Sequence, residues 1–194
     1  MNIQQDLRLR EKYTEGFVRT KPVKYITVHG TGGGSSAARL LKWMLKPGKQ
    51  REDWYKRGIA LFHYIIDRDG SIIELIDPDK WVYHASVGKW DAGSIGIELM
   101  NPKADNSGDY TSMQYRALTF LSKELIGKYP IEKIYSHKYA KEVIAKRGSK
   151  NCPGNFNWKK FSKELYNKES FQELNKESNF KVKHERTDCL IVTH

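Results

Sequence analysis

The chain has 194 residues, 39% hydrophobic and 29% charged, which at about 100–200 residues per domain is one compact domain with short appendages. That size can bury a core without disulfide staples or a structural metal, and no apolar run approaches the roughly 18–20 residues of a membrane span. Lys and Arg outnumber Asp and Glu by 34 to 23, a net charge of +11 that favours polyanionic partners such as nucleic acid, acidic membranes or anionic wall polymers.

In chain order, residues 1–21 are charged and aperiodic and read as an N-terminal extension with a short helix at best. They hold no apolar signal segment, so synthesis is expected in the cytoplasm, with any release to the cell wall following a route other than a signal peptide. Val23–Val28 is a β-rich run ending at His29 and followed by the flexible string Gly30-Thr31-Gly32-Gly33-Gly34. Ser35 or Ser36 then caps a helix whose apolar members are Ala37, Leu40, Leu41, Met44 and Leu45, stopped by Pro47-Gly48. Phe62–Asp67 and Ser71–Ile76 flank an Asp-Gly turn and form a hairpin.

Ser94–Met100 is a strand closed by Pro102. Ser112–Lys128 is a helix with Met113, Ala117, Phe120, Leu121 and Leu125 on one face, ended by Tyr129-Pro130. Ile131–Ser136 is a strand ending at His137, and about two helical turns follow. Asn151–Gly154 is a turn and Trp158 opens the last helix. Past Lys168 the chain turns polar, and only Cys189–Thr193 is strand-like. The order of elements predicts an α/β fold: a single domain with a central mixed sheet flanked by helices.

His29 and His137 each end a strand, where side chains can converge on a cleft, and Cys152 follows in a loop. Two imidazoles and a thiolate are the ligand type of a catalytic zinc that keeps a fourth position open. Spacing alone matches no local metal motif, and surface histidines with a buried structural cysteine, or a Cys152–Cys189 disulfide, remain the competing reading. Alternation along Ser94–Leu99 puts Ser94, Gly96 and Glu98 on one face, so Glu98 faces either solvent or a cleft. In a cleft it can serve as general base and acid. Lys150, two residues before Cys152, suits a developing oxyanion, against the plainer reading of a solvated charge.

The motifs VHGTGG at His29, FHYIIDRDG at Phe62–Gly70, YHAS at His84, SIGIEL at Glu98, SHKYA at His137 and KNCPG at Lys150–Gly154 run in one order. Together they resemble the zinc-dependent N-acetylmuramoyl-L-alanine amidases of the amidase_2 family, over roughly Val23 to Trp158. That family includes phage lysozyme-type amidases, recycling amidases and peptidoglycan recognition proteins. The resemblance implies one zinc per chain on His29, His137 and Cys152, with Glu98 and Lys150 catalytic. It also implies His84, Trp81 and Thr31 on the substrate side, and Trp43, Trp54 and Trp90 are further candidates for the groove wall. Cys as third ligand is a phage-type and recognition-type feature.

Those members commonly carry a catalytic Tyr where this chain has Phe62, so the base role falls to Glu98, as in the recycling subgroup. Tyr64 is expected on the same strand face as Phe62 but one pleat further, and His63 on the opposite face in a structural role.

The implied organisation is a 1–21 extension, a 22–168 amidase catalytic domain and a 169–194 C-terminal extension without an assigned role. The implied reaction is hydrolysis of the bond between N-acetylmuramic acid and L-alanine, in intact wall or soluble muropeptide, by a monomer with no membrane partner. A non-catalytic peptidoglycan-binding module is the alternative, disfavoured by the presence of Cys152, Glu98 and Lys150 together. No RRM, helix-turn-helix, KH or finger motif supports a specific nucleic-acid partner.

Overall fold

A computed structural model describes residues 1–34, 36–59, 61–148, 151–166 and 180–194. Lys150, and residues 169–179 of the expected C-terminal extension, lie outside the described residues.

Among the described residues the strands are β1 (Ile3–Gln5), β2 (Phe17–Val18), β3 (Tyr25–Gly30), β4 (Tyr64–Ile66), β5 (Ile72–Glu74), β6 (Lys80–Trp81), β7 (Ser94–Leu99), β8 (Lys133–Ser136), β9 (Lys181–Arg186) and β10 (Cys189–Thr193). The helices are α1 (Arg8–Lys12), α2 (Ala37–Leu45), α3 (Lys49–Lys56), α4 (Ser112–Lys128), α5 (His137–Tyr139, continued by a π turn over Ala140–Ile144) and α6 (Trp158–Tyr166). A 3-10 segment, Gly88–Gly93, leads into β7. No helix of the described residues is long and apolar enough to cross a membrane.

One sheet runs in the order β1-β5-β4-β7-β3-β8-β10-β9, while β2 and β6 form a separate two-stranded ribbon. Its centre, β4, β7, β3 and β8, is parallel, and antiparallel strands flank it on both sides. This is the mixed α/β architecture expected from the order of elements.

Alternation along the central strands divides the core. Ile26, Val28, Ile97, Leu99 and Ile134 meet Leu118, Leu121 and Leu125 of α4 and Phe161 of α6. On the other side Leu9 of α1, Leu41 and Met44 of α2 and Tyr55 of α3 pack with Ile65, Leu75 and Val82. Local signals agree with the packing: the Ser36 side chain caps α2, and Thr111 with Gln114 forms a capping box on α4.

Three stretches of the chain depart from the expected pattern. The N-terminal residues contribute β1, which extends the sheet in parallel to β5, and α1, whose Leu9 is fully buried. α3 fills the stretch after Pro47-Gly48, where no helix was expected. β9 pairs antiparallel with β10, although its sequence is KVKHER. A further departure is Tyr64, which packs in the α4 core and donates its hydroxyl to Glu74 at 3.2 Å, whereas Phe62 packs on the α2 side. The alternation expected to carry both residues to one face does not reach Phe62, because the backbone bends at His63 and β4 begins only at Tyr64.

Candidate functional site

Parallel register builds the site. His29 on β3 and Glu98 on β7 are Cα partners, and Val28 pairs with Ser136, so His137 follows β8 at the same level. All three sit at the carboxyl edge of the parallel strands, where open α/β sheets bind ligands. Cys152 reaches them from the loop before α6: the Gly30 N–H donates to its Sγ at 3.3 Å, and its carbonyl accepts from Lys138 N at 2.9 Å.

His29, His137 and Cys152 are all buried, and one ligand atom from each lies within 4.8 Å of the others. The two Nδ1 atoms are 3.1 Å apart. Ligands held at about 2.0–2.1 Å around a tetrahedral zinc stand about 3.3 Å from one another. A thiolate with two imidazoles is also a zinc-type donor set, so the residues fit this ion. Both cysteines are free thiols, which removes the disulfide alternative in this structure. Cys189 lies apart from the site, its thiol pushed up to about 12 by burial.

Glu98 is buried on the polar side of β7 and lines a cavity of about 540 Å³ together with His29, His84, His137 and Cys152. The cleft alternative for this carboxylate is therefore the observed one. Thr31 lines the same cavity, and its hydroxyl exchanges hydrogen bonds with the Asn101 backbone at 2.9 and 3.2 Å.

His84 also lines the cavity, but both of its nitrogens are engaged: Nδ1 is 3.1 Å from His29 Nε2 and Nε2 is 2.8 Å from Ser94 Oγ. Burial pushes its imidazole down to about 3, so the ring is neutral. With His29 Nδ1 kept for a metal ion, its Nε2–H would donate to His84 Nδ1, and the His84 Nε2–H to Ser94 Oγ. This chain of bonds fixes the tautomer and orientation of His29. The ring fits because position 96 is glycine; a Cβ there would lie 2.6 Å from His84 Cγ. The carboxylate of Asp91 accepts from Ala85 N and Val87 N at 2.8 Å each, securing the loop that carries His84.

His63 is structural, as expected: its Nδ1 accepts from Gly96 N at 3.0 Å, and Arg19 and the Lys80 carbonyl meet its Nε2. Burial, then the Arg19 charge, hold its pKa well below the ordinary imidazole value.

The structure places Trp81 away from this cleft. It packs on Phe17 and Tyr83, because β6 pairs with β2 in the outlying ribbon. Trp90 packs against Tyr25 with its ring tilted by 46°. Trp43 and Trp54 do reach the site region: with Thr31, Phe62 and Glu98 they line a second cavity of about 390 Å³.

Two residues that bind the site together carried no sequence signal. Asn106 accepts from Gly32 N at 2.9 Å through its side-chain oxygen and donates its amide to the Asn151 carbonyl at 3.1 Å. It thereby ties the glycine loop after His29 to the loop of Cys152. Tyr110 donates its hydroxyl to the Pro153 carbonyl at 2.6 Å. A Cβ at Gly30 would lie 2.3 Å from that hydroxyl, which accounts for the glycine. Only the capacity of asparagine for the left-handed conformation it adopts here, φ 60°, marks residue 106.

Fold and site together define an α/β protein with a candidate His/His/Cys metal centre at the carboxyl edge of its sheet. The amidase_2 family, described as N-acetylmuramoyl-L-alanine amidase, matches residues 19–155, and the chain belongs to that family. The 1,6-anhydro-N-acetylmuramyl-L-alanine amidase AmpD of Enterobacter cloacae is 30% identical over 105 residues, 50% of this chain and 52% of the relative. The chain thus spans about half the length of this curated relative. Among solved structures, the N-acetylmuramoyl-L-alanine amidase LysC from Clostridium intestinale URNW aligns with a TM-score of 0.60 at 20% identity, covering 85% of this chain and 97% of LysC. A selenomethionine derivative of AmpD aligns with a TM-score of 0.59 at 19% identity, covering 84% and 94%. At these identities the structural likeness is one of fold.

Proposed function

We propose that this protein, acting as a monomer, hydrolyses the amide bond between N-acetylmuramic acid and L-alanine in peptidoglycan or its soluble fragments. The observation that carries the reading is the meeting of His29, His137 and Cys152 within one small volume, with the carboxylate-bearing residue Glu98 in register with His29. Family membership over residues 19–155 supports the same chemistry. His29, His137 and Cys152 would hold one zinc ion, which supplies Lewis acidity toward the water and the amide carbonyl.

The chain's own groups do the rest. Glu98 takes a proton from the attacking water as its oxygen bonds to the lactyl carbonyl carbon. It then gives that proton to the alanine nitrogen as the C–N bond breaks, leaving a lactyl carboxylic acid and a free α-amine. Phe62 lines both cavities beside Glu98 and has no transferable proton, which leaves the acid–base work to the carboxylate. His84 and Ser94 keep His29 in its working orientation. Lys150, close to Cys152 in the chain, stabilises the developing oxyanion with its positive charge.

Incubation with N-acetylmuramoyl-L-alanyl-D-isoglutamine should release free alanine α-amine, stop on chelation and resume when Zn²⁺ is restored. Binding to sacculi without bond cleavage at any zinc level would replace the hydrolase with a recognition module. Comparing intact sacculi with soluble anhydro-muropeptides assigns the protein to wall lysis or to fragment processing.

A further inference from the structure

The cavity beside Glu98 that lies away from Cys152 is walled by two helices, α2 and α3, and its lining differs in kind from that of the metal-side cavity. Trp43 and Trp54 line it while remaining 51% and 44% exposed, unusual for indoles in a folded domain. The Arg51 guanidinium lies 4.5 Å over the Trp43 ring, anchored by Nη2 to the carbonyls of Lys46 and Pro47 at 3.0 and 3.2 Å. The buried Arg51 Nε has no acceptor among the described residues. Gln50 adds an amide, and the cavity holds about 390 Å³, within the ~300–1,000 Å³ span of small-molecule sites.

We propose that the Trp43–Arg51–Trp54 face is the saccharide subsite, taking the N-acetylated pyranose of the substrate, while the peptide leaves across the opposite, Asn106 side. This rests on the amidase reading and gives its cleft a direction. A pyranose offers one flat C–H face and a rim of hydroxyl and acetamido groups. Indole rings suit the face, and the guanidinium and amide suit the rim.

A peptide in extended form needs free main-chain partners. A wall made of helices has spent its own on internal bonds. The other cavity is lined by loop residues at Thr31, Gly32, Ala104, Asp105, Asn106 and Asn151, with no indole among the described residues of its lining, so it offers a pyranose no flat aromatic face and is left to the peptide. The two cavities share Thr31, Phe62 and Glu98, so a substrate spanning both would place its scissile amide beside the carboxylate.

The test is titration of the full chain with N-acetylmuramic acid and with the N-acetylglucosamine–N-acetylmuramic acid disaccharide, followed by tryptophan fluorescence. Saturable quenching is expected, weakened about tenfold in Trp54→Ala and largely retained in Trp54→Phe. In parallel, Trp54→Ala should raise KM for N-acetylmuramoyl-L-alanyl-D-isoglutamine about tenfold, yet leave kinetics on the sugar-free lactyl-L-alanyl-D-isoglutamine unchanged. Unchanged saccharide binding, equal losses on both substrates, or weakened binding of the free dipeptide in place of the sugar would each overturn the proposal. Saccharide binding needs no turnover: Trp54-dependent binding with no cleavage would sink the amidase reading and keep the subsite. Chelator-sensitive cleavage indifferent to Trp54 would do the reverse.

Discussion

Glu98 stands beside His29 because parallel pairing makes the two residues Cα partners, so no mobile loop has to deliver the carboxylate. Glu98→Gln keeps the shape and removes the proton acceptor. Turnover should fall by about 10²–10⁴-fold with zinc still bound, read by steady-state kinetics alongside metal analysis; undiminished turnover would pass the base role to another group. His84 acts one step back. His84→Ala removes the acceptor for the His29 Nε2–H, and zinc affinity should drop by about 10–100-fold in competition with a chromophoric chelator.

The strand-end histidines were legible in the sequence because a residue at the end of a β-run has a predictable place in space. Asn106 and Tyr110 were not, because what they do depends on two distant loops meeting. Trp81 lines neither of the two cavities for a related reason: an aromatic near the YHAS motif carries no mark of whether its strand joins the main sheet or the outlying ribbon. His84 sits where the motif put it, but its nitrogens are spent on His29 and Ser94.

At the scale of elements, amphipathic segments were readable and polar ones were not. α2 and α4 show a regular apolar stripe and side-chain caps, and the Asp-Gly turn announces the β4–β5 hairpin. α3 reads KQREDWYK, and only Tyr55 of its residues is buried, so its periodicity is nearly silent. β9 is a charged edge strand, a composition that guards an open edge but hides the strand from pattern reading.

α1 has only Leu9 to signal its packing, yet that side chain is fully buried against the α2–α3 side of the core. Leu9→Ala should cost about 2–5 kcal/mol of unfolding free energy in urea titration. A loss below about 0.5 kcal/mol, the scale of an ordinary surface change, would mean the N-terminal segment is dispensable to the core.

For the whole molecule, the buried polar layer between sheet and loop makes stability depend on pH. His63 and His84 are held neutral by burial, with pKa values below the ~6.5 of an unfolded histidine, His84 at about 3. Below pH 6.5 the unfolded chain therefore binds more protons than the folded one. Stability is full above that pH and declines as pH falls from 6.5 toward 3. Thermal melts should show Tm decreasing from pH 7.5 to pH 5, the two histidines outweighing buried Asp91, whose carboxyl is raised to about 6 and favours the folded state as pH falls; a flat Tm over that interval would refute the neutral, buried assignment.

The same layer brings His29, His137 and Cys152 together from β3, the end of β8 and the loop before α6, so the candidate metal centre is a property of the complete sheet. X-ray absorption at the zinc edge on the loaded protein tests this most directly. The structure predicts one ion per chain, with imidazole nitrogen at about 2.0–2.1 Å and a single sulfur at about 2.3 Å that disappears in Cys152→Ser. A stoichiometric zinc lacking any sulfur neighbour, or no stoichiometric zinc at all, would contradict it.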